Sequence, residues 1–272
     1  MGNNSEIKVI TLTTDFGIKD PYVAIMKGVI LSINPHVHII DISHEVKPGN
    51  IIEGACLLQD SYNFFPKGTI HVGVIDPGVG GNRRPIVVQT TDYFFVGPDN
   101  GLFWPIINNI KKVKIFHILE KRYFLSEISS TFHGRDIFSP VAAYISKGVT
   151  PDKLGKIIHN PVALKLDKPI LLKDKIIGHV IRSDRFGNLI TNISKEDIIK
   201  VFGNIKVVTI KIGKVNIPYI SRTYSEVKPK QLLALIGSSG RLEISANLAS
   251  AHDTIGKDIL KKEEIILEKR AN

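Results

Sequence analysis

Cysteine is almost absent: Cys56 is the only one in 272 residues, so no internal disulfide can form. It lies in the apolar stretch Ile51 to Leu58, whose spacing suits a helix packed on a core, and it reads as an inert buried thiol. No apolar run approaches the ~20 residues needed to span a bilayer. The start, Met1 to Glu6, has no secretory apolar core and lacks the Ser or Thr that a myristoylation signal wants at position six. A cytoplasmic protein with no membrane partner is expected. No long basic block is present either. The formal charge of +10, from 36 basic and 26 acidic residues, is scattered in short runs such as Lys111-Lys112 and Lys261-Lys262. Without basic residues interleaved with aromatics there is no nucleic-acid platform, and no nucleic-acid partner is expected. No pair of histidines at helical spacing occurs, so no metal is expected. Internal repeats and low-complexity tracts are also missing.

What is present is a large apolar fraction, 43% of the chain, enough to bury a substantial core in one large or two ordinary domains. From Ile7 onward, short β-rich runs (Val9 to Thr13, Val37 to Ile42, Ile70 to Ile75) alternate with amphipathic stretches (Pro21 to Asn34, Asn50 to Tyr62). That alternation predicts an α/β domain over 1–160 with a mainly parallel sheet. Pro21 and Pro35 bracket the first helix, and Asp20 is its expected cap. Pro85 to Gln89, Tyr93 to Val96 and Val113 to Leu119 read as strands, and Asp136 to Ser146 as a helix. Proline and lysine break the periodicity over 161–175, a candidate linker. Beyond it, the runs Ile176 to Ile181, Leu189 to Ile193, Ile205 to Ile212, Leu232 to Ile236 and Arg241 to Ile244 predict a smaller, mainly antiparallel all-β domain over 176–272.

Chemistry concentrates in a few polar segments. Asp76-Pro77-Gly78-Val79-Gly80-Gly81-Asn82-Arg83 puts a carboxylate at a strand end and a guanidinium seven residues on, across a glycine turn that can fold one back on the other. Because it runs from strand into strand rather than into a helix, it is not a dinucleotide loop; an ordinary hairpin or crossover turn is the alternative. Thr13-Thr14-Asp15-Phe16-Gly17 follows the first strand, where ligands gather in open α/β sheets, and Asp15 can hold a ribose diol or cap the next helix. Thr131-Phe132-His133-Gly134-Arg135-Asp136 places a histidine beside a glycine at a helix start, as a ligand-facing or a structural residue. Ser183 to Asn192 packs Asp184, Phe186 and Asn188 into a turn able to hold a zwitterion and an apolar chain. Gly237 to Arg241 and Ser245 to Ser250 offer backbone N–H groups for a carboxylate or a base edge. Each of these, and Gly97-Pro98-Asp99-Asn100-Gly101, is also what a plain turn prefers.

Six segments in order, TTDFG, IDPGVG with Arg83, GPDNGLF, TFHGRDIF, DRFGNLITNI and SANLASA, cover Thr13 to Ala251, and together the chain resembles the S-adenosylmethionine (SAM) hydroxide adenosyltransferase family, relatives of SAM-dependent fluorinases and chlorinases. The resemblance implies an N-terminal α/β domain, a C-terminal β-barrel-like domain, and a homotrimer whose site lies between the first domain of one subunit and the second of its neighbour. It implies that Asp76, Arg83 and His133 activate water and that Asp15 holds the ribose hydroxyls. Phe132 and Gly134 would line the pocket near the reacting carbon. Asp184 would meet the methionine ammonium, with Asn188 beside it and Phe186 as a wall. Ser238 would face the carboxylate, and Asn247 with Leu248 the adenine edge. The implied reaction is hydrolysis of SAM, as substrate with no further cofactor, to adenosine and methionine by attack of water or hydroxide at C5′. The halogenating branch carries tyrosines at the positions of Asp76 and His133, and an arginine near Ser239, for which Arg241 is the substitute. A halide adenosyltransferase and a non-catalytic SAM or adenosine sensor are the alternative functions.

Overall fold

The structure, a computed structural model, describes residues 8–256 and 264–270, and divides into two compact units between Lys165 and Leu166. The N-terminal stretch Met1 to Glu6 and the Lys261-Lys262 pair lie outside the described residues.

In the first unit, β1 (Val9–Thr14) is apolar and β-branched and buried along its whole length, as a central parallel strand covered on both faces must be. It is followed by α1 (Tyr22–Ile33), β2 (His38–Ser43), α2 (Ile51–Ser61), β3 (Ile70–Val74), β4 (Pro85–Gln89), β5 (Phe94–Pro98), α3 (Trp104–Asn109), β6 (Lys114–Ile118), α4 (Ser139–Ser146) and β7 (Gly155–Ile158). The sheet order is β2-β1-β3-β5-β4-β6-β7. Neighbours β2, β1, β3 and β5 pair in parallel, whereas β4, β6 and β7 join by antiparallel pairs. The sheet is therefore mixed, with most strands pointing one way and β4 and β7 reversed. The alternation of strand and helix could not show this reversal, because β4 and β5 are joined by a short polar turn rather than a helix.

Helices cover both faces. Val23, Met26 and Ile30 of α1 pack with Val141, Ala142 and Ile145 of α4 on Ile10, Leu12 and Val72. On the opposite face Ala55 and Leu58 of α2, with Leu102, Phe103 and Ile106, cover Ile75, Ile86 and Phe95. Cys56, itself on α2, is buried. Asn50 caps α2 by accepting the Glu53 N–H at 3.2 Å. Asp20 does not cap α1: Pro21, whose fixed φ starts the helix, occupies the cap position, which leaves Asp20 one residue outside it, and no side-chain cap bond forms there.

The second unit contains β8 (Ile170–Leu171), β9 (Lys175–Gly178), β10 (Val180–Ser183), β11 (Leu189–Ser194), α5 (Lys195–Phe202), β12 (Val208–Ile212), β13 (Val215–Ile217), β14 (Ile220–Ser221), β15 (Leu232–Ile236), β16 (Arg241–Ala246), α6 (Ala251–Ile255) and β17 (Ile265–Lys269). Its strands form two five-stranded sheets, β10-β11-β16-β15-β14 and β13-β12-β17-β9-β8, around one core of isoleucine, leucine and valine. Among the described residues no strand pairing joins the two sheets into a barrel. The run Ile176 to Ile181 splits between the sheets. The Asn192 side chain accepts the His179 N–H at 2.8 Å, and a Cβ on Gly178 would sit 2.5 Å from Asn192 Oδ1, so the chain turns there. The unit is β-rich rather than all-β: α5 is fixed by a capping box between Ser194 and Asp197.

Candidate active site

Strand β1 sends its crossover to β2 on one side, and the next strand, β3, lies on its other side, so the carboxyl ends of β1 and β3 flank the switch point where open α/β sheets bind ligands. Thr14 pairs with Val74, which places Asp15 beside Ile75 and puts Asp76 on the same edge. Asp15 Oδ2 accepts the Gly49 N–H at 2.8 Å, and the carboxylate is partly exposed. It caps no helix, so its helix-cap role is not the one the fold uses.

Arg83 returns to Asp76 as the glycine turn requires. Its Nε and Nη2 donate to Asp76 Oδ2 at 2.9 and 2.5 Å, and Nη2 also donates to His133 Nδ1 at 2.7 Å. The Asp76 and Arg83 side chains are 4% and 10% exposed, so this ion pair is shielded from solvent. An arginine cannot accept, so Nδ1 of His133 is the acceptor and the proton of the neutral ring sits on Nε2. Burial, then the Arg83 charge, lower the His133 pKa below its ordinary value, against weaker opposing pulls from Asp76 and Asp136. Asp76 Oδ1 is buried and has no hydrogen-bond partner among the described residues. A buried carboxylate oxygen left so is costly, and a ligand or water in the site would satisfy it.

Two loops hold this group. Gly80 has φ +75°, and a Cβ there would lie 2.2 Å from the Ser130 carbonyl oxygen, so only glycine lets the Asp76–Arg83 turn press on the loop preceding His133. Residues Gly134–Phe138 form a π-helical turn leading into α4, a device frequent at functional sites. The Asp136 carboxylate is buried and accepts from Ser129 N at 2.8 Å and Arg135 Nε at 2.5 Å, so it braces the loop from inside. The Arg83 guanidinium stands 5.3 Å from the Phe138 ring centroid. Phe132 is nearly buried and packs edge-on against Phe16 and Tyr22 at 5.9 and 5.3 Å, while Gly134 lies against Met26, Phe132 and Val74. Phe16 and Tyr22 were not selected from the sequence as site residues; the aromatic next to Asp15 and the one opening α1 were the available signals.

In the second unit a cavity of about 520 Å³ is lined by Phe186, Asn188, Tyr224, Asn247 and Leu248 with Ala246 and Ala249. Phe186 and Leu248 are 78% and 85% exposed, and Leu248 holds φ +53°, an unusual conformation for a branched side chain. Asp184 accepts the Phe186 and Asn188 N–H groups, each at 2.9 Å, and the Asn188 side-chain amide at 2.8 Å, so it shapes the loop that forms one cavity wall. Gly187 touches Ser250, joining the two cavity loops. Asn247 donates to the Val227 carbonyl at 2.7 Å. Ser238 is exposed in the turn between β15 and β16 and does not line the cavity, whereas the adjoining Ser239 Oγ is buried without a partner among the described residues. Tyr224 is the lining residue that the sequence did not single out. Burial, then the charges of Glu243 and Asp184, raise its pKa above the ordinary value. Among the described residues no three His, Cys, Asp or Glu side chains gather into a metal-ligating group, and no helix is long and apolar enough to cross a membrane.

Comparison with known proteins places this geometry. Residues 10–155 match the family model of the SAM hydroxide adenosyltransferase N-terminal domain, and residues 178–262 that of its C-terminal domain. The chain is 40% identical over 271 residues to an (R)-S-adenosyl-L-methionine hydrolase of Methanocaldococcus jannaschii, covering 96% of each chain. It is 31% identical to a protein of the same name from Thermus thermophilus, covering 92% of this chain and 96% of that one. A crystal structure of an uncharacterized conserved protein from Thermotoga maritima superposes with a TM-score of 0.88 at 35% identity, over 96% of this chain and 100% of that one.

Proposed function

The chain belongs to the SAM hydroxide adenosyltransferase family, and from that premise we propose that it hydrolyses SAM to adenosine and methionine, with Asp76, Arg83 and His133 acting on the attacking water. The observation that carries this reading is the buried Asp76 oxygen without a partner among the described residues, beside a guanidinium already committed to Asp76 and His133.

The substrate brings its own leaving group, because a sulfonium departs from C5′ as a neutral thioether and needs no acid. The difficulty is water, whose pKa of about 15.7 makes it a poor nucleophile. Asp76 Oδ1 accepts a hydrogen bond from water and orients a lone pair toward C5′. As the C–O bond forms and the C–S bond breaks, the water proton passes toward Asp76 and is released to solvent, leaving adenosine and methionine. Arg83 fixes the carboxylate, and His133, held neutral, offers Nε2–H to the developing oxygen. A positioned base of this kind contributes ~10²–10⁴-fold, and in-line placement against the sulfonium supplies much of the rest.

Asp15 is assigned the ribose hydroxyls, with Phe132 and Gly134 beside the reacting carbon. Asp184 and Asn188 take the ammonium end, Phe186 forms a wall, Ser238 faces the carboxylate, and Asn247 with Leu248 meets adenine. The exposed Phe186 and Leu248 at a cavity in one unit, and the exposed Ile18, Tyr22 and Ile25 on the other, support a homotrimer that shares each site between neighbouring subunits. The hydrolases it resembles are named for the (R) sulfonium epimer, and we extend that preference to this chain. The test is incubation of the purified protein with each SAM epimer, with product identification by mass. Adenosine and methionine formed faster from the (R) epimer support the proposal, and no adenosine from either epimer defeats it.

A further inference from the structure

The turn Asp99-Asn100 does more than reverse the chain, and its place in the sheet gives the reason. The segment from Ile75 to Arg84 leaves β3 and enters β4, but β5 lies between those two strands, so the segment must pass over the carboxyl end of β5. Asp99 and Asn100 follow β5 directly beneath that crossing. Asn100 Nδ2 donates to the Ile75 carbonyl at 2.8 Å, one residue before Asp76. The Asp99 N–H donates to the Arg84 carbonyl at 2.8 Å, and Asp99 Oδ2 receives Arg84 Nε and Nη2 at 2.8 and 2.5 Å, one residue after Arg83. The Asp99 side chain is 2% exposed, so its carboxylate meets Arg84, itself 26% exposed, from the buried side of the pair. Asn100 is itself locked, because its Oδ1 accepts the Leu102 N–H at 3.2 Å.

We propose that Asn100 and Asp99 are positioning residues for the reaction, a clasp that grips both ends of the Asp76–Arg83 loop and so holds the carboxylate and guanidinium in register with His133. The inference rests on the hydrolase reading above. A glycine-rich loop has little stiffness of its own, since glycine carries the largest backbone freedom. Its two functional side chains each stand one residue from a clasped position, which limits the swing left to them. A misplacement of about 1 Å in such a group costs ~10²-fold in rate.

The test is steady-state hydrolysis of SAM by the full-length protein carrying Asn100→Asp, which keeps the size of the side chain and the oxygen facing Leu102 but cannot donate to Ile75. The expected result is a fall in kcat of ~10- to 100-fold with KM within twofold of wild type, and no further fall when Asn100→Asp is added to Asp76→Ala. A full additional loss on top of Asp76→Ala, or an unchanged kcat, overturns the proposal. Should Asn100→Asp fail to fold, Asp99→Asn takes its place; it keeps the oxygen that receives the Val162 N–H and loses the charge paired with Arg84, leaving the Arg84 guanidinium only its bonds to Asn160. Wild-type turnover in the same assay separates the two readings. If wild type forms no adenosine, the hydrolase reading falls and the clasp is read from His133 by NMR titration. Its ring faces Arg83, Asp76 and Asp136, so release of Arg83 raises its pKa relative to wild type, and an unchanged titration overturns the clasp.

Discussion

Replacing Asp76 by asparagine isolates the charge from the shape. In the native site the carboxylate takes two hydrogen bonds from Arg83 at 2.9 and 2.5 Å, with both side chains at or below 10% exposure. The amide keeps one oxygen, but it cannot both hold Arg83 and accept from water, and it leaves a shielded guanidinium without its counter-charge. Losing a general base of this kind costs ~10²–10⁴-fold in kcat, or about 3–5 kcal/mol of barrier. Breaking a buried pair from one side also costs about 3–5 kcal/mol of stability. At ~2–4 °C per kcal/mol for a domain of this size, the melting temperature should fall by roughly 6–20 °C. These effects separate in a cycle with Arg83→Met. The double variant removes both charges and should recover part of the melting temperature without recovering turnover. Adenosine release followed by chromatography, at a temperature where every variant is folded by circular dichroism, reads the rate. Turnover by Asp76→Asn within fivefold of wild type would refute the assignment of Asp76 to the water.

Three further outcomes follow from the same geometry. Gly80→Ala should lower kcat/KM and cost about 1–3 kcal/mol by denaturant melt, because its φ of +75° and the Ser130 carbonyl 2.2 Å from the new Cβ leave no room; a neutral result would mean that the two loops are not pressed together. His71 is buried against Thr11, Phe95 and Tyr62, and burial lowers its pKa to about 3. Its folded form binds the proton more weakly than the unfolded chain, so the stability it contributes is whole above the ordinary pKa of 6.5 and is lost as pH falls from there toward 3, which urea melts from pH 8 to pH 4 will show as a falling midpoint. Light scattering with chromatography should give three times the 30.2 kDa of one chain, and a monomer binding SAM tightly would remove the shared site.

Much of the first unit was legible because its signals are local. The apolar runs of β1, β3 and β4 and the prolines around α1 mark their elements within a residue or two. The short turn between Gln89 and Phe94 favours antiparallel pairing of β4 with β5, but the place of β4 between β5 and β6 was not legible, since strand order depends on contacts far apart in the chain. The break between β9 and β10 was hidden for a similar reason: Ile176 to Ile181 is one apolar run, and the side chain that bends it, Asn192, is contributed by another strand. The site divides along the same line. Arg83 returning to Asp76 follows from the glycine turn between them, but the bond from Arg83 to His133 spans 50 residues and needs the fold to bring the loops together. Asp99 and Asn100 looked like any turn until the strand order put them under the crossing loop.

The same geometry also bears on why the nucleophile should be water rather than a halide. An anion seated against Asp76 Oδ1 would meet a negative charge with no donor between them. At a separation of about 4 Å and an effective dielectric near 20, that repulsion is about 4 kcal/mol. Arg83 and the Nε2–H of His133 offset part of it, but the Arg83 guanidinium already serves His133 Nδ1 and the other carboxylate oxygen, Asp76 Oδ2, rather than the open one. Water has the opposite character, since it donates to the open oxygen and presents a lone pair to carbon. Adenosine should therefore remain the product in molar chloride, with no chlorinated nucleoside detectable by mass. Asp76→Asn, which removes the charge, is the variant in which chloride should begin to compete. A chlorinated product from the wild-type protein would show that the open oxygen does not govern the choice of nucleophile.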